Sequence, residues 1–411
     1  MSKSVADYDF FDPEVIECPF DFYKALREEA PVYQLPGTDI FMVSKHSDIK
    51  QALKDTTTFS SDFKHLLQGP EPSPAAAKIY EDGYDQVDTL LTMDPPRHKV
   101  YRSLINKVFS AKRVEKMHAY IEQIAEELID EFIDKGECEF IKAFATPLPV
   151  YVIADQLGVP RSDLEKFKSW SDAFASRLGG MVTDEEEIEN ARLIVEYQQY
   201  MAEVVQDRRA SPQDDMISDL ANSTIDDGRL MTMEEVLSMI QQLLVAGNET
   251  TTSAIAGGML SLIQLSDQLQ ILLDDPAVIE NAVEEILRLE TPSAGLWRVV
   301  TCDTQIQGVE IPKDSLLMLR YASANRDEEV FDEPETMDVC RRNADDHIAF
   351  GQGVHFCPGA MLGRKEMNVA FHKLLQRLTN VQLVAGKNDL THWPNVVLRG
   401  LKELHITFDR K

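Results

Sequence analysis

The chain has 411 residues, enough for two or three domains of roughly 150 residues or for one large one. Its 41 lysines and arginines against 70 aspartates and glutamates give a formal charge of −29, so nucleic acid or an anionic membrane surface would repel it unless a local basic patch intervened. With 44% hydrophobic and 27% charged residues the composition is that of a globular chain with a sizeable core, which excludes disorder.

Residues 1–14 are polar and acidic, with neither the basic nor the apolar stretch of a signal peptide. No stretch approaches the ~18 consecutive apolar residues of a membrane span. The five cysteines, Cys18, Cys138, Cys302, Cys340 and Cys357, are odd in number and scattered, which points to a reducing compartment and a cytoplasmic protein without a membrane anchor. No linker, repeat or low-complexity tract divides residues 1–411, so one continuous domain is expected.

Residues 31–44 alternate as two strands about Gly37-Thr38-Asp39. Residues 114–135 carry Val114, Met117, Ile121, Ile124, Leu128, Ile129 and Phe132 at helical spacing, with Gly136 as the stop. A longer helix is predicted over residues 233–265, opened by a capping box of Thr232 and Glu235. Its flanks are apolar apart from Gln241, Gln242 and Ser261, so it is expected to be buried. A second strand pattern covers residues 304–319, broken at Gly308 and Pro312-Lys313-Asp314. The class is therefore mainly α with minor sheet.

Two places in this pattern carry chemistry. The buried helix holds Ala246-Gly247-Asn248-Glu249-Thr250-Thr251-Thr252 at its middle, where a glycine costs about 1 kcal/mol and an unpaired carboxylate several more. Thr250 is placed to bond the Ala246 carbonyl four residues back, which would open the helix and leave a polar groove for a small molecule and water, or simply satisfy a packing site. The second place is Phe350-Gly351-Gln352-Gly353-Val354-His355-Phe356-Cys357-Pro358-Gly359. Its glycines permit close backbone approach, and Pro358 at a first helical position would set Cys357 at a helix N-terminus, where a thiolate is stabilised for a metal. A dinucleotide fingerprint fails because Phe356 fills the third glycine slot, and a zinc site from His355 and Cys357 lacks two ligands.

The decapeptide around Cys357 resembles the haem-binding signature of the cytochrome P-450 monooxygenases, and residues 246–251 resemble their oxygen-activating helix. Glu285-x-x-Arg288 is a third shared element, and the likeness runs from Asp94-Pro95-Pro96-Arg97-His98 to Arg399-Gly400-Leu401-Lys402. It is similar to the soluble bacterial type. Glu249 stands where many relatives carry aspartate.

The resemblance implies a mainly α fold with a small β-rich lobe around a buried haem b (iron protoporphyrin IX). It makes Cys357 the iron ligand and sets Ala246, Gly247, Phe350, Gly351 and Gly359 against the haem. His98, Arg102, Arg298 and His355 would hold the propionates, while Thr250 and Glu249 meter protons. Glu285 and Arg288 would serve folding around the haem. The implied reaction inserts one oxygen atom of O2 into a C–H bond of a hydrophobic small molecule, a terpenoid, steroid or fatty acid. A peroxide-driven peroxygenase and a haem-thiolate sensor are the alternatives, against which the intact Glu249-Thr250 pair argues.

With no flavin, nicotinamide or iron–sulfur pattern in the chain, the electrons are expected from a separate ferredoxin and ferredoxin reductase. They would dock on Lys99, Lys107, Lys112, Arg113, Arg364 and Lys365. The substrate pocket is expected to draw on residues 63–91, 174–181, 244–246, 293–296 and 396–398, and the protein to be a monomer with no nucleic-acid partner.

Overall fold

The computed structural model describes residues 3–68, 72–176, 182–225 and 228–411. The helices that shape the site are α1 (His98–Val108), α2 (Ala111–Phe132), α3 (Pro147–Gln156), α4 (Leu164–Ser176), α5 (Asp184–Ala210), α6 (Met233–Gln264), α7 (Ile279–Glu290) and α8 (Ala360–Arg377). The strands are β1 (Val32–Gln34), β2 (Ile40–Val43), β3 (Phe59–Ser60), β4 (Glu137–Glu139), β5 (Leu296–Val300), β6 (Thr304–Ile306), β7 (Val309–Ile311), β8 (Leu316–Leu319), β9 (Leu378–Leu383) and β10 (His405–Arg410).

The spine is α6, whose 32 residues span about 48 Å. Its capping box is formed as the sequence predicts: Glu235 N donates to Thr232 Oγ1 at 3.2 Å, and Thr232 N donates to the Glu235 carboxylate at 2.7 Å. Leu237, Ile240, Leu244, Ile255, Met259 and Leu262 are buried on several of its faces because α3, α4, α5, α7 and α8 all pack against it. The approach to α7 is close at Gly257 and Gly258, where β-carbons would lie 2.2 Å from Glu290 Oε2 and 2.7 Å from Ile286 Cγ2.

The stripe predicted over residues 114–135 becomes α2, a 3-10 turn at Ile133–Lys135, and Gly136 in the left-handed conformation at φ 70°. That stripe lies against α8, and cross-helix ion pairs follow the contact, Lys365 with Glu115 at 3.1 Å, Lys373 with Glu126 at 2.8 Å and Arg377 with Asp130 at 2.7 Å. Exposed pairs of this kind contribute little each, so burial of the α2 stripe sets the position of α8.

The patterns at residues 31–44 and 304–319 form β1, β2, β6, β7 and β8. A five-stranded sheet runs β1-β2-β8-β5-β3, with β2 and β8 parallel and the other pairs antiparallel. β5 is absent from the predicted elements because Leu296-Trp297-Arg298-Val299-Val300 shows no alternation. Pairing with β8 makes it a strand, and the register Arg298↔Leu317 fixes where Arg298 points. A smaller sheet, β4-β10-β9, joins segments more than 200 residues apart, beyond the reach of local pattern.

Glu285 and Arg288 are fully buried, with Arg288 Nε and Nη2 donating to the Glu285 carboxylate at 2.7 and 2.8 Å. Arg341 Nε adds a bond to it at 3.0 Å, and Arg288 Nη1 reaches the carbonyls of Asn325 and Pro334. The pair therefore ties α7 to the chain leading back to Cys357. Among the described residues no helix is long and apolar enough to cross a membrane.

Candidate active site

The loop of residues 350–359 is shaped by its glycines. Gly351 and Gly353 take φ of 67° and 72°, and a β-carbon on Gly353 would stand 2.5 Å from the Leu53 carbonyl oxygen. Cys357 N donates to Phe350 O at 2.9 Å and closes the loop. Pro358, expected at the first helical position, is not in the helix: α8 begins at Ala360 with Gly359 as its N-cap, so Cys357 lies just ahead of it. The thiol still gains from the helix start. Burial pushes its pKa up, and the Gly359 N–H, Arg102, Arg364 and the Ala360 N–H pull it back.

Arg364 backs the loop, its guanidinium 4.5 Å from the centre of the Phe350 ring. It donates two bonds to Glu284, at 2.6 and 2.8 Å, and His347 Nε2 lies 3.1 Å from the same carboxylate. Burial raises the Glu284 pKa, but His347 and Arg364 outweigh it and hold the group at about 2.

A cavity of about 340 Å³ opens on Cys357 and is also lined by Arg102, Arg298, His355 and Gln352. Among the described residues neither Arg102 nor Arg298 has a carboxylate ion-pair partner. His98 Nδ1 and Nε2, Arg298 Nε and Gln352 Oε1 are buried without a hydrogen-bond partner. The His98 and His355 rings are 4.2 Å apart, and Ser61 Oγ lies 3.0 Å from His355 Nε2. Burial, then Arg102, pushes His98 down to about 4; burial, then Arg298, His98 and Arg102, pushes His355 down to about 3. Orphaned donors around unneutralised guanidinium groups fit a ligand bearing carboxylates.

Across the cavity α6 presents Ala246 and Thr250. Thr250 Oγ1 donates to Ala246 O at 2.7 Å, as the spacing predicts, yet the helix is unbroken there, so the groove comes from the small Ala246 side chain rather than from an opened ladder. Gly247 does not line the cavity; its β-carbon position faces Ile153 of α3 at 3.6 Å. Glu249 also points elsewhere, 3.4 Å from Lys168 Nζ on α4, and accepts from Asn248 Nδ2 at 3.1 Å. Burial lifts its carboxyl to about 7 against the pull of Lys168.

A model of the family "Cytochrome P450" matches residues 273–406. Cytochrome P450 107B1 of Saccharopolyspora erythraea is 34% identical over 408 residues, covering 98% of each chain. The chain is a cytochrome P450. Steroid C26-monooxygenase of Mycobacterium tuberculosis is 36% identical over 319 residues, 78% of this chain and 85% of the relative. The solved cytochrome P450 CREJ in complex with (4-ethylphenyl) dihydrogen phosphate superposes with a TM-score of 0.91 at 31% identity, over 99% of this chain and 100% of that one.

As a P450 monooxygenase the protein carries haem b, whose iron the family binds through a cysteine thiolate. In this P450 the thiol of Cys357 and the unneutralised Arg102 and Arg298 open on one cavity, which fits an iron porphyrin with two propionates. Of the expected pocket segments, Gln86, Val87, Asp88, Leu90, Leu91 and Phe174 line the cavity of this P450, as do Val245, Ala246, Ser293, Leu296, Val397 and Leu398. Leu244 instead packs in the core and Val396 lines a separate small cleft; residues 69–71 and 177–181 lie outside the described residues.

Several site residues escape the sequence reading. Tyr321 lines the cavity beside Arg298 and lies 3.7 Å from the β-carbon position of Gly351. Glu366 is 3% exposed on α8, hydrogen-bonded to Thr251 of α6 and pushed up to about 8 by burial. Its signal is a carboxylate in the stripe Leu362, Glu366 and Ala370, at i, i+4 spacing on the apolar face of α8.

Proposed function

We propose that the protein, acting as one domain and as a cytoplasmic monomer, inserts one oxygen atom of O2 into a C–H bond of a hydrophobic small molecule, with electrons from a separate ferredoxin and its reductase. The observation that carries this reading is the single cavity shared by the Cys357 thiol, the unneutralised cations and the Thr250 groove. In it Cys357 is the iron ligand, Gly359 and Ala360 temper its charge, and His98, Arg102, Arg298 and His355 take the propionates. When bound, the haem supplies an iron on which dioxygen is reduced, with thiolate donation favouring O–O cleavage. Thr250 holds a proton donor at the Ala246 groove, and Glu249 with Lys168 exchanges protons on the outer side of α6. A relative named for steroid oxidation supports a substrate of that size.

The carrier surface is smaller than the sequence suggests. Arg364 is bound to Glu284, Lys365 to Glu115, and Arg113 to Asp219 and Asp214, which leaves Lys99, Lys107 and Lys112 exposed. Beside Cys357 the apolar side chains of Val354, Phe356 and Met361 are also exposed. We assign acidic ferredoxin docking to this basic and apolar face.

Reduced protein under carbon monoxide is expected to show the strongly red-shifted Soret band of a thiolate complex, and Cys357→Ser to lose it. Retention of the band in that variant would overturn the assignment of the ligand.

A further inference from the structure

The cavity wall on α6 is not apolar along its whole length. Ser238, Gln242, Ala246 and Thr250 recur at i, i+4 spacing and all line it, as does Gln241. Ser238 and Gln242 are occupied by the chain opposite: Val87 N donates to Ser238 Oγ at 3.2 Å, Leu91 N to Gln242 Oε1 at 3.0 Å, and Gln242 Nε2 to Thr89 Oγ1 at 2.6 Å. Gln86 and Gln241 are half used. Gln86 Nε2 donates to Gln241 Oε1 at 2.9 Å, which leaves Gln241 Nε2 as a donor and Gln86 Oε1 as an acceptor without a partner among the described residues. A donor beside an acceptor in a mostly apolar cavity matches a hydroxyl group, which gives one bond and takes one; a ketone uses the donor alone.

Charge narrows the class. Lys64, the one lysine lining the cavity among the described residues, is 2.7 Å from Asp88 and 3.7 Å from Asp62, so it is already outnumbered by carboxylates in a chain of charge −29. An anionic head group gains nothing there, whereas a neutral oxygen gains the free amide. Distance sets the rest. Gln241 precedes Thr250 by nine residues, about 13.5 Å along the helix, and the parallel step from Gln242 is about 12 Å.

We infer that the substrate is a neutral, elongated molecule whose hydroxyl or ketone oxygen is anchored by Gln241 with Gln86, more than two helical turns along α6 from Thr250. This deepens the monooxygenase reading and rests on it. It favours a sterol-like or long-chain alcohol skeleton over a fatty acid.

The test uses holoenzyme with three series of probes: straight-chain primary alcohols of increasing length, the matching alkanes and the matching fatty acids. Binding is read from the Soret shift and products from the position of the new hydroxyl. Alcohols are expected to bind about three- to tenfold tighter than alkanes, the ratio one neutral hydrogen bond gives. As the chain grows, the new hydroxyl should stay at a fixed distance from the alcohol oxygen. In Gln241→Leu, and in Gln86→Leu made separately, the ratio should fall toward one and oxidation should follow the methyl end. Equal binding of alcohols and alkanes to the wild type, tighter binding of the fatty acids, or a pattern unchanged in both variants would overturn the inference. Any of these with the thiolate carbon monoxide band intact refutes the anchor alone; absence of that band refutes the parent reading instead.

Discussion

Glu249 lies 3.4 Å from Lys168 Nζ, whereas its neighbour Thr250 turns to the Ala246 carbonyl at 2.7 Å in the cavity. One helix thus separates an outer acid from an inner alcohol. The Glu249 side chain is 24% exposed, so it has solvent to draw protons from. With its carboxyl near 7, the rate is expected to inflect around that pH as the group changes protonation state. Glu249→Gln should slow turnover by about 10- to 100-fold and erase the inflection. Lys168→Met should move it to higher pH, since the ammonium opposes the upward push on the acid. A pH profile of kcat under saturating electron donor checks both.

The glycines of α6 divide by what surrounds them. A methyl on Gly258 meets Ile286 Cγ2 at 2.7 Å, so Gly258→Ala should cost about 1–3 kcal/mol by overpacking α6 on α7. A methyl on Gly247 meets Ile153 at 3.6 Å, an ordinary contact, so Gly247→Ala should gain about 0.5–1 kcal/mol from helix propensity. Denaturant unfolding of the two variants decides, and a loss at Gly247 would show a need for glycine that packing does not explain.

Glu366 gives stability a pH dependence of known sign. Burial raises its folded-state pKa to about 8 from the ordinary carboxyl value of 4.5, so the folded chain holds a proton that the unfolded chain has released between those values. Stability should therefore fall as pH rises from about 4.5 to about 8. Glu366→Gln keeps the bond to Thr251 and removes the titration. Its denaturant midpoint is expected to show a smaller decline across that window than the wild type.

Reversal of Lys99, Lys107 and Lys112 to Glu should weaken ferredoxin-supported turnover by at least several-fold at low salt and reduce its salt dependence. Substrate-induced Soret shifts and the carbon monoxide band should stay as they are. Reversal of Arg113 should do less to docking, because Asp219 and Asp214 already neutralise it.

Much of the site is legible in the sequence because it is local. The 350–359 loop contains the glycines that shape it and the cysteine it presents, and the Thr250 to Ala246 bond spans a single helical turn. The α6 capping box and the α2 stripe are legible for the same reason, since helix spacing and capping act within a few residues. Tertiary structure alone decides the features whose partners are far away in the chain. Arg364 is an apparent docking cation until Glu284, 80 residues earlier, claims it. Glu249 and Gly247 read as cavity residues until α3 and α4 are seen on the other side of α6. β5 lacks a strand pattern and is made one by β8, which aims Arg298 inward. The amide pair of Gln86 and Gln241 joins positions 155 residues apart. Periodicity determines which face of an element is apolar; which neighbour fills that face, and which polar group is left without a partner, depends on long-range packing.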